Sequence, residues 1–172
     1  MRKSLRGVAL FGVAALALTS CAKKVSYEEF HKAATAVETN PYKTAKMTGT
    51  IKSSDDSSSS TQNIDAELKY QSIASVGSLS ASMWTSDNAT AALIINTLTA
   101  GIITEDENST YYAGGSFKVV TKVEEKDSEG KTTATATSTT TFNEYGLLTS
   151  IKGKGTGDTS KETFDLKVVY SK

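Results

Sequence analysis

The chain has 172 residues, of which 38% are hydrophobic and 22% are charged, with 19 basic and 19 acidic side chains. A net charge of zero gives no broad basic surface for nucleic acid, and a single cysteine excludes both a disulfide framework and a site built from several thiolates. At this length we expect one domain, or at most two. Serine and threonine together number 47, or 27% of the residues, which favours exposed strands and polar loops over a helical enzyme core.

The first twenty residues have the pattern of an export signal. Arg2, Lys3 and Arg6 are followed by a run from Gly7 to Leu18 that has no charged residue and no proline. This run is too short to span a bilayer, but it fits the apolar core of a signal peptide. It ends in the tetrapeptide Leu18-Thr19-Ser20-Cys21.

That tetrapeptide resembles the lipobox of bacterial lipoproteins, in which a leucine, a small polar residue and a glycine, alanine or serine precede the lipidated cysteine. The resemblance implies that a diacylglycerol is attached to the Cys21 sulfur and that the signal is cut between Ser20 and Cys21. It also implies a lipid-anchored protein on the extracytoplasmic face of a bacterial membrane. The anchor is expected to be stable because each buried acyl methylene contributes about 0.8 kcal/mol. The alternatives are an ordinary secretory signal beside a chance cysteine, or a short buried helix.

Removal of residues 1–20 leaves 16 basic and 19 acidic side chains and no arginine. Without a guanidinium group the mature chain lacks the bidentate donor that favours phosphate and carboxylate, and we expect no nucleic-acid partner. Ala22 to Val25 predict a tether of at most about 14 Å, which would hold the domain against the membrane. We therefore divide the chain into a lipoprotein signal peptide (1–20), the lipidated Cys21 with its short tether (21–25) and a single domain (26–172).

A helix is predicted directly after the tether. Ser26 and Glu29 have the spacing of a capping box, in which each side chain bonds to the backbone of the other residue. The apolar residues that follow lie on one face of a helix: Tyr27, Phe30, Ala34 and Val37. The pair Asn40-Pro41 predicts that the helix ends before it.

A β-hairpin is predicted next. Residues 44–52 and 63–70 both alternate between apolar and polar side chains, which indicates two half-buried strands. The serine-rich segment 53–60 between them predicts the hairpin loop. Residues 71–85, which include the only tryptophan, Trp84, are the least informative, and we assign them to a loop with room for a short strand.

A second helix is predicted at residues 89–100. Ser86-Asp87-Asn88 supplies candidate N-caps, and Gly101 stands where a helix commonly ends. Because this helix is apolar on nearly every side and too short to cross a membrane, we predict that it is buried in the core.

The remaining chain reads as strands joined by turns that are rich in glycine, asparagine and aspartate. The predicted strands are 110–113, 117–124, 131–142, 147–154 and 164–170. Short connections require antiparallel neighbours. The predicted fold is α+β, with a signal-peptide helix followed by a curved antiparallel sheet of about seven strands that packs on the N-terminal helix and the buried central helix.

Some inward positions of this predicted sheet carry small or weakly polar side chains. They are Ala45, Gly49, Ala134, Ala136, Ser138 and Thr140. Small residues on an inner face indicate either close approach of a helix or a void. We predict close packing by the helix at 89–100, because protein cores fill their space when they can.

The sequence predicts no catalytic residue, no metal site and no cofactor. His31 is the only histidine, there is no second free thiol, and no G-x-S-x-G turn presents a nucleophile. The acidic segments 55–56 and 105–107 lack the spacing of a calcium loop and predict solvated turns. Gly153-x-Gly155-x-Gly157 lacks both the spacing of a phosphate loop and the helix that follows one.

The order of elements is similar to that of half-barrel lipoprotein carriers and related lipid-binding lipoproteins, in which a curved antiparallel sheet holds helices and sometimes an acyl chain. This resemblance implies a membrane-anchored, non-enzymatic protein that binds a lipid or another apolar small molecule. The candidate ligand-facing residues are Tyr70, Trp84, Tyr111, Tyr112 and Phe142. The alternatives are a structural or interaction protein of the cell envelope that pairs through an edge of its Thr-rich strands and, with the least support, a small surface hydrolase.

Overall fold

A computed structural model describes residues 22–37, 40–73 and 81–172. The predicted signal peptide, the lipobox and Cys21 lie outside the described residues. Within them the chain forms one antiparallel sheet accompanied by α-helices, which confirms the predicted α+β class.

The described chain contains nine strands, two α-helices and one short 3₁₀ helix at Ala100–Ile102. The α-helices are α1 (Tyr27–Thr35) and α2 (Ala89–Thr97). The strands are β1 (Lys23–Val25), β2 (Thr44–Asp55), β3 (Ser59–Ile73), β4 (Ala81–Thr85), β5 (Ser109–Ala113), β6 (Phe117–Lys126), β7 (Thr132–Phe142), β8 (Leu148–Thr156) and β9 (Ser160–Ser171).

The spatial order of the strands is β1-β5-β6-β7-β8-β9-β2-β3-β4, and every neighbouring pair is antiparallel. Strands β5 to β9 form a meander, and β2 to β4 form a second one. The two meanders join where β2 pairs with β9, from Thr44 opposite Ser171 to Asp55 opposite Ser160. The predicted hairpin of β2 and β3 is confirmed, with Gly49 opposite Ile64.

Nine strands are described where the sequence predicts about seven, and the two additional strands are the sheet edges, β1 and β4. Of these, β4 lies in the segment 71–85, for which the sequence leaves room for a short strand. The predicted tether is wrong for Lys23–Val25, because these residues pair with β5, Lys23 opposite Ala113 and Val25 opposite Tyr111. A three-residue strand that contains two adjacent lysines is too short and too polar to show an alternating pattern. In the sequence, only Ala22 separates Cys21 from the first strand of the sheet.

Helix α1 begins with the predicted capping box. The Ser26 Oγ accepts a hydrogen bond from the Glu29 N–H at 3.2 Å, and the Glu29 Oε2 accepts one from the Ser26 N–H at 3.1 Å. The helix buries Phe30, whose ring lies 5.3 Å from Tyr111 and 5.7 Å from Phe117. These contacts hold α1 against the β5 and β6 part of the sheet.

Helix α2 differs from its prediction in length and in burial. Asn88 caps it, since its Oδ1 accepts a hydrogen bond from the Ala91 N–H at 3.0 Å. The helix ends at Thr97 and not at residue 100, and Gly101 lies inside the 3₁₀ helix. It buries Ala91, whereas Leu93 is 64% exposed. The prediction of a fully buried helix is therefore wrong, because apolar composition alone does not show how many sides of a helix have neighbours.

The expected packing of α2 on the small residues of β7 is also wrong. Helix α2 contacts β3 and β4, whereas Ala136 of β7 remains exposed. On the same face, the Phe164 ring lies over Gly153 of β8, next to β7. A Cβ added to Gly153 would lie 2.2 Å from the ring Cζ and 2.9 Å from the Thr137 carbonyl oxygen of β7. An aromatic side chain from β9 thus occupies space that the sequence analysis assigns to a helix.

Asn96 joins α2 to the edge strand β4. Its Oδ1 accepts a hydrogen bond from the Trp84 N–H at 3.0 Å, and its Nδ2 donates to the Trp84 carbonyl at 2.8 Å. The side-chain amide therefore takes the place of a neighbouring strand at this point of the edge. Unpaired backbone groups in a partly buried position are costly, so Asn96 compensates for the missing strand.

We expect Asn96→Ala to lower the free energy of unfolding by about 2 kcal/mol, because both backbone groups of Trp84 lose their partner. Thr97→Ala is the matched control, since the Thr97 hydroxyl donates only to carbonyls of its own helix, at Leu93 and Ile94. Chemical denaturation followed by Trp84 fluorescence measures both variants. Equal, small losses in the two variants would contradict the structural importance of the Asn96 amide.

Candidate ligand-binding site

A pocket of about 400 Å³ lies at the end of the sheet where the β5–β6 and β7–β8 turns meet. Its apolar lining includes two core residues, Phe117 and Phe142, which are directly opposite each other on β6 and β7 and expose only 4% and 1% of their surface. Lys118 and Glu144 supply its charged lining. The volume falls in the range of small-molecule sites, which combine apolar walls with a few polar groups.

Local structure holds the lining residues in place. In the β7–β8 turn, the Asn143 Oδ1 accepts hydrogen bonds from the Tyr145 N–H at 2.9 Å and the Leu147 N–H at 3.0 Å. On the other side of the pocket, the Lys118 ammonium lies 4.1 Å from the centre of the Tyr112 ring. This cation–π contact stabilises one position of a side chain that would otherwise move freely.

The first described residue, Ala22, also lines this pocket. The next residue, Lys23, pairs with Ala113 at the end of β5, which places the start of the described chain beside the β5–β6 turn. Gly115 lies in that turn and lines the pocket too, and a Cβ added to it would meet no atom within 4 Å. The pocket therefore lies between the start of the described chain at Ala22 and the open β5–β6 turn at Gly115.

The structure does not bring the five predicted ligand-facing residues together. Phe142 lines the pocket, and Tyr112 contacts it through Lys118. Tyr111 is buried on the core face of β5, opposite to the face that carries Tyr112. There its hydroxyl accepts a hydrogen bond from the Asp106 N–H at 2.8 Å. Tyr70 and Trp84 belong to a separate aromatic cluster.

That cluster is part of the core. The ring of Trp84 lies 5.1 Å from Tyr70 and 5.5 Å from Tyr170, and Tyr170 lies 5.2 Å from Tyr42. The Tyr170 hydroxyl donates to the Leu148 carbonyl at 2.7 Å, and burial raises the pKa of Tyr170. Desolvation raises the pKa of Tyr42 as well. Tyr42 and Tyr170 therefore stay protonated at neutral pH, and the rings of the cluster pack against one another.

The sequence pattern does not mark Phe117 or Lys118 as ligand-facing residues. A signal for Phe117 exists, however, because a hairpin formed by the predicted strands 117–124 and 131–142 brings residue 117 close to residue 142. The observed register places the two phenylalanines opposite each other. Ala22 reaches the pocket because β1 pairs with β5, and no sequence pattern predicts that pairing.

Hydrogen bonds in the β2–β3 turn hold the Asp55 carboxylate in place. The Asp55 carboxylate accepts hydrogen bonds from the backbone N–H and hydroxyl groups of Ser57 and Ser58, at 2.7 to 3.1 Å. These bonds, the one from the Ser57 N–H first, lower the pKa of Asp55 to about 2. His31 stacks on Tyr27 at 5.6 Å, and its Nδ1 has no hydrogen-bond partner among the described residues.

In residues 22–37, 40–73 and 81–172, no group of three or more histidine, cysteine, aspartate or glutamate side chains is arranged to hold a metal ion. No helix within these same ranges is both long enough and apolar enough to cross a membrane. No protein family, no curated protein and no solved structure matches this chain. Its function therefore has to be inferred from its own residues and their geometry.

Proposed function

We propose that this protein is a lipid-anchored, extracytoplasmic binding protein of a bacterial membrane, and that its pocket at Ala22, Phe117 and Phe142 holds an apolar chain. The proposal combines two observations. The tetrapeptide at residues 18–21 has the pattern of a lipobox, and the residue that follows it lines the pocket. The position of Ala22 carries the argument, because it connects the anchor site with an apolar site.

Cys21 directly precedes Ala22 in the sequence, and Ala22 lines the pocket. One residue spans at most about 3.6 Å, so a lipid on Cys21 would begin beside the pocket. Pairing of Lys23 with Ala113 fixes the direction of the chain at this point. An acyl chain of the anchor would thus start next to a residue that lines the pocket.

The lining of the pocket suits an amphiphile. Each methylene that leaves water for a site beside Phe117 and Phe142 contributes about 0.8 kcal/mol. Lys118 and Glu144 line the same pocket and offer charges of both signs to a polar head group. A binding function needs no more than this combination of an apolar wall with charged side chains beside it.

The other two functions have less support. A hydrolase based on His31 would need a partner for its imidazole, but the ring stacks on Tyr27 and its Nδ1 is unpaired in the described structure. Association through the Thr-rich strand would need a free edge, but β7 pairs with β6 on one side and β8 on the other. The edges of the described sheet are the three-residue β1 and the five-residue β4.

Photo-crosslinking in cells tests the pocket. A bacterial host that expresses the full chain is fed a fatty acid carrying a diazirine and an alkyne, and the crosslinked peptides are identified by mass spectrometry after irradiation. We expect crosslinks to the segments around Phe117 and Phe142. Gly115→Trp should reduce them severalfold, because the new ring enters open space at the pocket without displacing a core side chain.

Two variants serve as controls for this experiment. Gly115→Ala leaves the pocket open, and Ser128→Trp adds the same ring to the exposed turn at the opposite end of the sheet. Both should retain the crosslinks of the unmodified protein. Crosslinks that fall elsewhere, or that survive Gly115→Trp unchanged, would show that the pocket does not hold the chain.

A further inference from the structure

The face of the sheet that lies opposite the core has a groove of about 640 Å³. It crosses five neighbouring strands, from β6 through β7, β8 and β9 to β2. Its polar lining is composed mostly of lysine and threonine. This groove is separate from the apolar pocket and shares no lining residue with it.

The strand registers place three lysines in one straight row across this groove. Each lysine is separated from the next by one threonine on the strand between them. The row reads Lys122, Thr137, Lys154, Thr163 and Lys52. Directly opposed residues in antiparallel strands lie on the same face, so all five side chains project into the groove. We call this set the lysine row.

The spacing of the row creates two equivalent positions for a ligand. Neighbouring strands lie about 4.8 Å apart, so consecutive lysines of the row are about 10 Å apart at the backbone. Two flexible lysine side chains can converge on a group held above the threonine between them, and the threonine hydroxyl can donate to the same group. One position lies above Thr137 and the other above Thr163.

The positive charge of the row is not neutralised within the described structure. In the adjacent row, Lys152 pairs with Asp165 at 3.0 Å. Lys52, Lys122 and Lys154 are exposed and form no ion pair with any described residue. The remaining chain after residue 20 carries a net charge of −3, so the row is a local excess of positive charge on an acidic protein.

We propose that the lysine row binds a linear phosphate polymer without bases, with its phosphate groups above Thr137 and Thr163. Lysine binds phosphate as a point charge, without the bidentate geometry that arginine offers to phosphate and carboxylate alike. Stacking of nucleic-acid bases requires aromatic side chains on the binding face. Phe164 is the one aromatic residue that lines this groove, and its ring packs over Gly153, toward the other face of the sheet.

Binding of short-chain inorganic polyphosphate to the full chain in detergent tests the proposal. The variant K52Q/K122Q/K154Q removes the row, and we expect its affinity to fall about tenfold or more. The dependence of affinity on salt should also become weaker, with the slope of log K against log salt smaller by about 2. Isothermal titration calorimetry at several salt concentrations measures both effects.

The variant K32Q/K69Q/K131Q is the matched control. It changes the net charge by the same amount at three exposed lysines that form no ion pair in the described chain and lie outside the groove. Its affinity should stay within about twofold of the unmodified protein, as expected for exposed charges far from the ligand.

Three results would overturn the proposal. The first is an absence of polyphosphate binding, and the second is an equal loss of affinity in the two triple variants, which would indicate only a general attraction. The third is equal or tighter binding of polyglutamate or oligothymidylate, which would exclude a preference for phosphate without bases. None of these results depends on the lipid anchor or on the apolar pocket.

Discussion

Replacing Cys21 with alanine is expected to abolish acylation of the protein and to leave an uncleaved precursor. The thiol is the only one in the chain, so no other sulfur can accept the diacylglycerol that the lipobox resemblance implies. Cells grown with an alkyne fatty acid should label the unmodified protein, whereas the label on Cys21→Ala should fall to background. Mass spectrometry should show that the variant still carries residues 1–20.

Ser20→Ala provides the control for this experiment. The lipobox pattern accepts glycine, alanine or serine directly before the cysteine, so this variant should be labelled and cleaved like the unmodified protein. Persistent labelling of Cys21→Ala would refute the anchor. Cleavage of Cys21→Ala at the usual place, without any labelling of the unmodified protein, would indicate an ordinary secretory signal.

Replacing Gly49 with alanine is expected to lower the free energy of unfolding by about 3 kcal/mol. Gly49 has a φ of +146°, a conformation that residues with a side chain rarely adopt. An added Cβ would lie 2.0 Å from the Asp165 carbonyl oxygen and 2.8 Å from the Leu166 Cα. Both atoms belong to the backbone of β9, so the clash can be relieved only by moving β9 away from β2.

Gly155→Ala is the matched control, because it also adds a methyl group to a strand glycine. Its Cβ would lie 3.9 Å from the nearest atom, the Thr135 carbonyl oxygen, which is an ordinary contact. We expect a change within about 0.5 kcal/mol. Urea denaturation of the full chain, followed by circular dichroism, compares the two variants. A similar small effect at both glycines would contradict the close approach of β2 to β9.

The sequence predicted most strands because a half-buried strand alternates between apolar and polar side chains. Strand β2 shows this plainly, with Ala45 and Met47 buried and Lys46 and Thr48 exposed. The same rule fails at β1, where Lys23 and Lys24 occupy two of three positions. For α2, apolar composition does not show which side of the helix is buried, because the exposed Leu93 and the buried Ile95 are equally apolar.

The lysine row and the apolar pocket are both formed by residues from several strands. The alternation of apolar and polar residues within one strand does not reveal which strands are neighbours. The pattern assigns Lys52, Lys122 and Lys154 to the polar face of three separate strands, but only the insertion of β9 between β8 and β2 completes their row. Phe142 could be proposed as a ligand residue from its type alone. Its partners in the pocket, Phe117 and Ala22, follow from the register of β6 and the pairing of β1.

The contact between β2 and β9 has a consequence for folding kinetics. Strands β2 and β3 are neighbours in sequence and can pair early, but the other side of β2 has to wait for residues 160–171, more than a hundred positions later. Contacts between such distant segments slow folding, as the loss of chain entropy precedes the gain from pairing. In that interval β2 presents a long row of open hydrogen-bonding groups. A folding intermediate should therefore be most prone to aggregation at β2, a strand that lies in the interior of the finished sheet.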